Sequence, residues 1–254
     1  GGPYLGPPSF LGSKMLETES PGASGTWAGT DLAALAEREG TPLYVYSAPA
    51  IRARVRALKA ALEGLDAGIC YAVKANGNGA VLRLIGEEGA GADIVSGGEL
   101  QRALRAGIPA DRIVFSGVGK TDAEIAMALQ AGIARFNVES RAELDAIQRI
   151  AAASGCTARA SVRINPDVDA LTHAKISTGK AENKFGVSIA EARAWFDAKS
   201  QWPDVQLDGL HMHIGSQLLS LDPVREALQR MAAFWKELQA AGHAIASIDV
   251  GGGL

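Results

Sequence analysis

The chain has 254 residues, of which 47% are hydrophobic and 21% charged, ordinary values for a water-soluble globular protein. A formal net charge of −3 gives no electrostatic case for nucleic acid or an anionic membrane as partner. Two cysteines, Cys70 and Cys156, are too few for a disulfide framework, and no apolar run is long enough to span a bilayer, so a reducing, cytoplasmic setting is expected.

Residues 1–30 are rich in Gly, Pro and Ser and lack the basic start and apolar core of a secretory signal. They read as a loose leader or added tail, with one barrel domain expected over 31–254. Residues 31–39 suit a short helix, and 42–46 (Pro-Leu-Tyr-Val-Tyr) a strand. Ser47 is placed to cap a following helix whose apolar stripe is Ile51, Val55, Leu58 and Leu62, one face at helical spacing.

From there a strand–helix–glycine unit repeats. Strands are expected at 69–74, 92–95, 112–116, 134–138, 159–164, 207–213 and 246–250. Helix starts carry capping-box pairs, Ser96 with Glu99, Thr121 with Glu124, Ser140 with Glu143 and Ser188 with Glu191. Gly89, Gly107, Gly132, Gly155 and Gly242 stand where helices close in a left-handed residue. Alternating strands and helices imply a parallel sheet with helices outside, and the short, mostly apolar strands suit a sheet covered on both sides. The regular spacing favours a (β/α)8 barrel of the TIM type over an open doubly wound sheet, although periodicity alone leaves both alive. The sequence given stops at Gly251-Gly252-Gly253-Leu254, after the seventh such strand, and so reads as a barrel short of its eighth.

Four features could carry chemistry. Lys74 ends an apolar strand, where a lysine is either snorkelling to solvent or serving as a desolvated, Schiff-base-forming nucleophile. Gly251, Gly252 and Gly253 follow the seventh strand, and a glycine run there is either a flexible turn or a nest of backbone N–H groups for a phosphate. His211 and His213 end the sixth strand two residues apart on one face. No Cys, Asp or Glu stands beside them at ligand spacing, so no metal is expected, and an imidazole stacked on a planar cofactor or satisfied in the core remains. Arg163 ends the fifth strand, Asp93 lies in the second, and Glu99 has a sufficient structural role as a cap residue. The polar stretch 175–187, lacking periodicity, reads as a long loop covering a site. Together these groups fit a phosphate-bearing carbonyl cofactor held by a barrel.

The same residues give a resemblance. Tyr-Ala-Val-Lys-Ala-Asn at 71–76, Arg-Ile-Asn-Pro-Asp-Val-Asp-Ala at 163–170, Thr-His-Ala-Lys-Ile-Ser-Thr-Gly at 172–179, Glu-Asn-Lys-Phe-Gly-Val at 182–187, His-Met-His-Ile-Gly-Ser-Gln at 211–217 and Asp-Val-Gly-Gly-Gly-Leu at 249–254 are similar to motifs of the diaminopimelate decarboxylases. These are pyridoxal 5'-phosphate enzymes of the alanine-racemase-like barrel group. The likeness runs from about Pro42 to Leu254. It implies that Lys74 bonds the cofactor aldehyde, that His213 stacks on the pyridine ring, and that Ser216 with Gly251, Gly252 and Gly253 holds the phosphate. It further implies that Asp93, Glu99 and Arg163 line the pocket, that the loop with Ser177 and Thr178 closes over the substrate, and that the protein is a homodimer converting meso-2,6-diaminopimelate to L-lysine and CO2. The family's eighth strand with its Glu-Pro-Gly-Arg motif and its C-terminal β-domain are not in this sequence, so the 254 residues alone are expected to be inactive. Two alternatives share the cofactor: an ornithine, arginine or carboxynorspermidine decarboxylase, and a non-catalytic pyridoxal-phosphate-binding protein.

Overall fold

The computed structural model describes residues 26, 27, 29–168, 185–216, 218 and 220–253. They fall into two compact units, Gly1–Ala61 and Leu62–Leu254. In the first, β1 (Thr26–Trp27) pairs antiparallel with β2 (Thr30–Asp31). Helix α1 (Leu32–Glu39) starts where the Asp31 carboxylate accepts the N–H groups of Ala33 and Ala34, at 2.9 and 3.1 Å, and ends at Gly40 with φ 85°. Helix α2 (Ala48–Ala61) is capped by Ser47, whose Oγ accepts from the Ala50 N–H. Its expected stripe is only half-buried at Ile51 and Val55, and Leu58 is exposed. The strand expected at 42–46 does not form. Pro42 has no N–H to give a ladder, Tyr44 and Tyr46 point into solvent, and the segment joins neither sheet.

The second unit is a single parallel sheet of seven strands in sequence order: β3 (Cys70–Ala72), β4 (Gly91–Ile94), β5 (Ile113–Phe115), β6 (Arg135–Val138), β7 (Ala158–Arg163), β8 (Val205–His211) and β9 (Ser247–Asp249). A doubly wound sheet reverses its order at a switch point; this one never does, which is barrel order. Helices α3 (Gly79–Glu87), α4 (Gly97–Arg105), α5 (Asp122–Ala131), α6 (Arg141–Ser154), α7 (Ile189–Asp197) and α8 (Asp222–Ala240) connect the strands. Ser96, Thr121, Ser140 and Ser188 each accept the N–H of the Glu three residues on, and Thr121–Glu124 closes the full box. Among the described residues no helix is long and apolar enough to cross a membrane.

The core lies between strands and helices. Ile94, Phe115, Phe136, Val162 and Leu210 turn outward onto Leu100, Ile125, Leu144, Phe196 and Phe234 of the helices, all fully or nearly fully buried. The rings of Phe115 and Phe136 stack with centroids 6.0 Å apart. The alternate residues turn inward, and they are not the apolar ones that a sheet covered on both sides should carry. Ser116, Arg135, Asn137, Ser161, Arg163, Asp208 and His211 are all buried. Part of this set is satisfied internally: Arg135 Nη1 donates to Ser161 Oγ at 2.9 Å and to Asp208 at 3.3 Å, while Arg159 and Gln206 also donate to Asp208.

The sheet curls. β6 and β9 are three strands apart, roughly 14 Å in a flat sheet, yet Asn137 Nδ2 donates to Asp249 Oδ2 at 3.0 Å. β3 and β9 are its two outer strands.

Candidate active site

The residues singled out in the sequence gather at one end of the sheet, the carboxyl end of its strands. Lys74 sits in a 3-10 turn, Val73–Ala75, immediately after β3. Asp93 is the third residue of β4, Arg163 the last of β7, and His213 lies two residues past β8. Ser216 follows on the same loop, and Gly251 begins the turn after β9. Glu99 is in the first turn of α4, where its carboxylate accepts the Val95 N–H at 2.8 Å. Ser177 and Thr178 lie outside the described residues.

The groups feel one another's charge. Both Lys74 and Arg163 disfavour protonation of His213, and Lys74 favours the ionised form of Asp93. His213 is held below the usual histidine range, mainly by burial and then by those two cations, so its ring is neutral at pH 7. Its Nδ1 accepts the Gly252 N–H at 3.3 Å, which puts the ring proton on Nε2. His211, deeper in, falls to about 4, again chiefly through burial. Asp93 moves the other way, to about 6, because burial and the Asp249 charge outweigh the help of Ser116 and Lys74.

Two members of the glycine triplet, Gly251 and Gly253, have to be glycine. Gly251 and Gly253 have φ of 73° and 104°. A Cβ on Gly251 would stand 2.4 Å from the Met212 carbonyl, and one on Gly253 would stand 1.9 Å from the Gly215 carbonyl. The triplet therefore lies directly on the loop after β8. Leu218 N–H donates to the Gly253 carbonyl at 2.9 Å, fastening the two loops together beside Ser216.

Two things bear on the reading of the sequence. Lys74 is exposed, on the 3-10 turn that follows Ala72. It is not the desolvated amine of the one reading but the solvent-reaching lysine of the other. Among the described residues the lysine with a buried side chain is Lys120, 1% exposed. Its Nζ donates to the carbonyls of Gly117 and Asn137 at 2.7 and 3.0 Å and to the Glu143 carboxylate, over the face of Phe115. Sequence reading also passed over Glu139, whose Oε1 accepts from Arg163 Nη1 at 2.6 Å, and over Ser116, Asn137 and Asp249. The signal was available in the alternation Arg135-Phe136-Asn137-Val138, which places a polar residue inward at every second position.

Pyridoxal phosphate asks for a primary amine, an anion nest, a flat neutral surface for its ring and polar partners within reach. Lys74, the glycine turn with Ser216, neutral His213 and cationic Arg163 provide them. Four buried polar atoms without a hydrogen-bond partner among the described residues, Asp93 Oδ1, Asn137 Oδ1, Glu139 Oε2 and His211 Nδ1, belong to this inner face; Trp27 Nε1 and Ser247 Oγ are unpartnered as well. The residues present fit the cofactor. Among the described residues no three His, Cys, Asp or Glu side chains group as metal ligands do.

Known proteins bear on the same stretch. Residues 49–254 match the model of the pyridoxal-dependent decarboxylases, pyridoxal binding domain. The chain is 50% identical over 227 residues to the diaminopimelate decarboxylase of Pseudomonas fluorescens, covering 89% of this chain and 55% of that protein. It is 49% identical over 226 residues to that of Aquifex aeolicus, covering 89% and 53%. Among solved structures, diaminopimelate decarboxylase from Helicobacter pylori complexed with L-lysine superposes with a TM-score of 0.84 at 47% identity, over 88% of this chain and 57% of that one. The chain thus spans about half the length of the curated relatives it matches. The matched range takes in all seven strands of the parallel sheet and the loops that carry Lys74, His213 and the glycine turn, and on that ground the chain belongs to the pyridoxal-dependent decarboxylases and carries their pyridoxal-binding domain.

Proposed function

We propose that the protein is a decarboxylase of meso-2,6-diaminopimelate that uses pyridoxal 5'-phosphate and releases L-lysine and CO2. The observation that carries this reading is the convergence of an accessible lysine, a neutral histidine ring, an arginine and a glycine turn at the carboxyl end of one parallel sheet. The likeness to diaminopimelate decarboxylases near 50% identity narrows the substrate. A solved relative is complexed with L-lysine, which is the expected product here.

Each side chain then has a task. Lys74, unhindered at the end of β3, bonds the cofactor aldehyde. His213 lies against the ring, held at one angle by the Gly252 N–H. The loops of Ser216 and Gly251–Gly253 receive the phosphate, and Arg163, kept in place by Glu139, adds positive charge to the pocket. Asp93 and Glu99 border it from β4 and α4, and Ser177 and Thr178 belong to the segment assigned to closing over the substrate. When bound, the cofactor supplies an electron sink for the carbanion left by loss of CO2. A homodimer in the cytoplasm is the assembly and location that go with this reading.

The direct test is to add pyridoxal phosphate, reduce with borohydride and map the modified peptide. The label is expected on Lys74, and a label on any other lysine overturns the assignment. A substrate panel of diaminopimelate, ornithine, arginine and carboxynorspermidine then decides the substrate, with turnover of diaminopimelate alone expected.

A further inference from the structure

We propose that Asn137 is a positioning residue, which through Asp249 sets the glycine turn in its anion-accepting shape before any cofactor arrives. The inference rests on the pyridoxal-phosphate reading of this face but is built from the chain's own contacts.

The turn begins on an outer strand. Among the described residues β9 pairs with β8, through Gly209–Ser247, Leu210–Ile248 and His211–Asp249. A three-residue strand with glycines after it has little to define where those glycines go. The second support comes from inside the curl. Asn137 is wholly buried. Its Nδ2 carries two protons, one directed to Ser116 Oγ at 2.9 Å and one to Asp249 Oδ2 at 3.0 Å. The other Asp249 oxygen, Oδ1, accepts the Gly251 N–H at 2.9 Å. A chain of hydrogen bonds therefore runs from β5 through β6 to the first glycine, and the next glycine N–H reaches His213. The Asp249 side chain is 33% exposed, so without these partners its carboxylate would be free to rotate into water. Both faces of the cofactor site, the anion turn and the stacking histidine, hang from Asn137.

The chemistry of the pair offers a test that a merely space-filling role would fail. In Asn137→Asp two carboxylates would face each other about 3 Å apart, and they cannot both be ionised without repulsion. In the double variant N137D/D249N the donor and acceptor are exchanged. The amide now at position 249 donates an Nδ2–H to the carboxylate now at position 137, and its Oδ1 still accepts the Gly251 N–H. The first measurement is the hydrogen-exchange protection of the Gly251 amide with no cofactor added. We expect protection in N137D to fall at least tenfold at pH 8, to recover near pH 5 as the pair takes up a shared proton, and to recover at pH 8 in the double swap. The second is affinity for pyridoxal phosphate by absorbance titration, expected to weaken at least tenfold in N137D and to return in the swap. Circular dichroism and thermal unfolding accompany each variant. Should N137D not fold, Asn137→Ser, neutral and smaller, is expected to show the same loss of Gly251 protection. Unchanged protection in a folded N137D or N137S, or a folded double swap that restores nothing, overturns the proposal. If the wild-type protein takes up no pyridoxal phosphate, the cofactor reading fails while the exchange comparison still decides the role of Asn137.

Discussion

Arg163 at the end of β7 places its guanidinium 2.6 Å from the carboxylate of Glu139, with both side chains at most 10% exposed. The Phe185 ring lies 5.1 Å from the same guanidinium. Glu139 is itself held by Glu143, whose Oε2 accepts the Glu139 N–H at 2.9 Å and whose Oε1 bonds Lys120. Removing one member of such a pair leaves a buried charge, which costs far more than the pair is worth. Glu139→Ala is therefore expected to lose about 3 kcal/mol in urea unfolding, with part of the loss recovered in phosphate buffer because an anion can then face Arg163.

Asp93 ties stability to pH. Its carboxyl stands near 4 in an unfolded chain and about 6 in the fold. Between those values the folded state binds more protons, so stability from this group is highest in acid and declines as the pH rises through 4 to 6. Asp93→Asn removes that dependence while keeping an acceptor for Ser116. The variant is expected to be more stable than wild type at pH 8, by at most about 3 kcal/mol, and no more stable below pH 4. Unfolding curves at both pH values check it.

Gly253→Ala probes the turn by steric means. The added Cβ cannot stand 1.9 Å from the Gly215 carbonyl at φ 104°, so the two loops must separate. We expect a loss of about 2 kcal/mol in thermal unfolding and at least tenfold weaker binding of pyridoxal phosphate. Gly252→Ala, with nothing within 4 Å of its Cβ, is the control and is expected to lose much less.

Phe136 probes the outer layer rather than the site. It is 1% exposed and stacks on Phe115. Phe136→Ala is expected to lose about 3–5 kcal/mol and Phe136→Leu markedly less, since Leu refills most of the cavity. Neither should move the borohydride label from Lys74, because residue 136 faces the helices.

All seven parallel strands lie where the repeat of strand, capped helix and glycine puts them, within two residues at each end. These are local properties. Ser140 accepts the Glu143 N–H and Gly155 takes a left-handed φ of 61° whatever surrounds them. Lys74, Arg163, His213 and the glycine turn were legible for the same reason, since each follows a strand end that the pattern locates. The segment at 42–46 looked like a strand because its composition is that of one, but a strand exists only where a neighbour supplies hydrogen bonds.

What the amino-acid order determined by itself was the succession of elements and the end of the sheet at which Lys74, Arg163, His213 and the glycine turn gather. What only the tertiary structure decided was the inside. Curling the sheet brings Asn137 to Asp249 from 112 residues away and sets Glu139 on Arg163. It also buries Lys120, because Glu143 and two carbonyls receive it, while Lys74 stays in water. Burial of a charge depends on which partners the fold delivers, and those partners are distant in sequence.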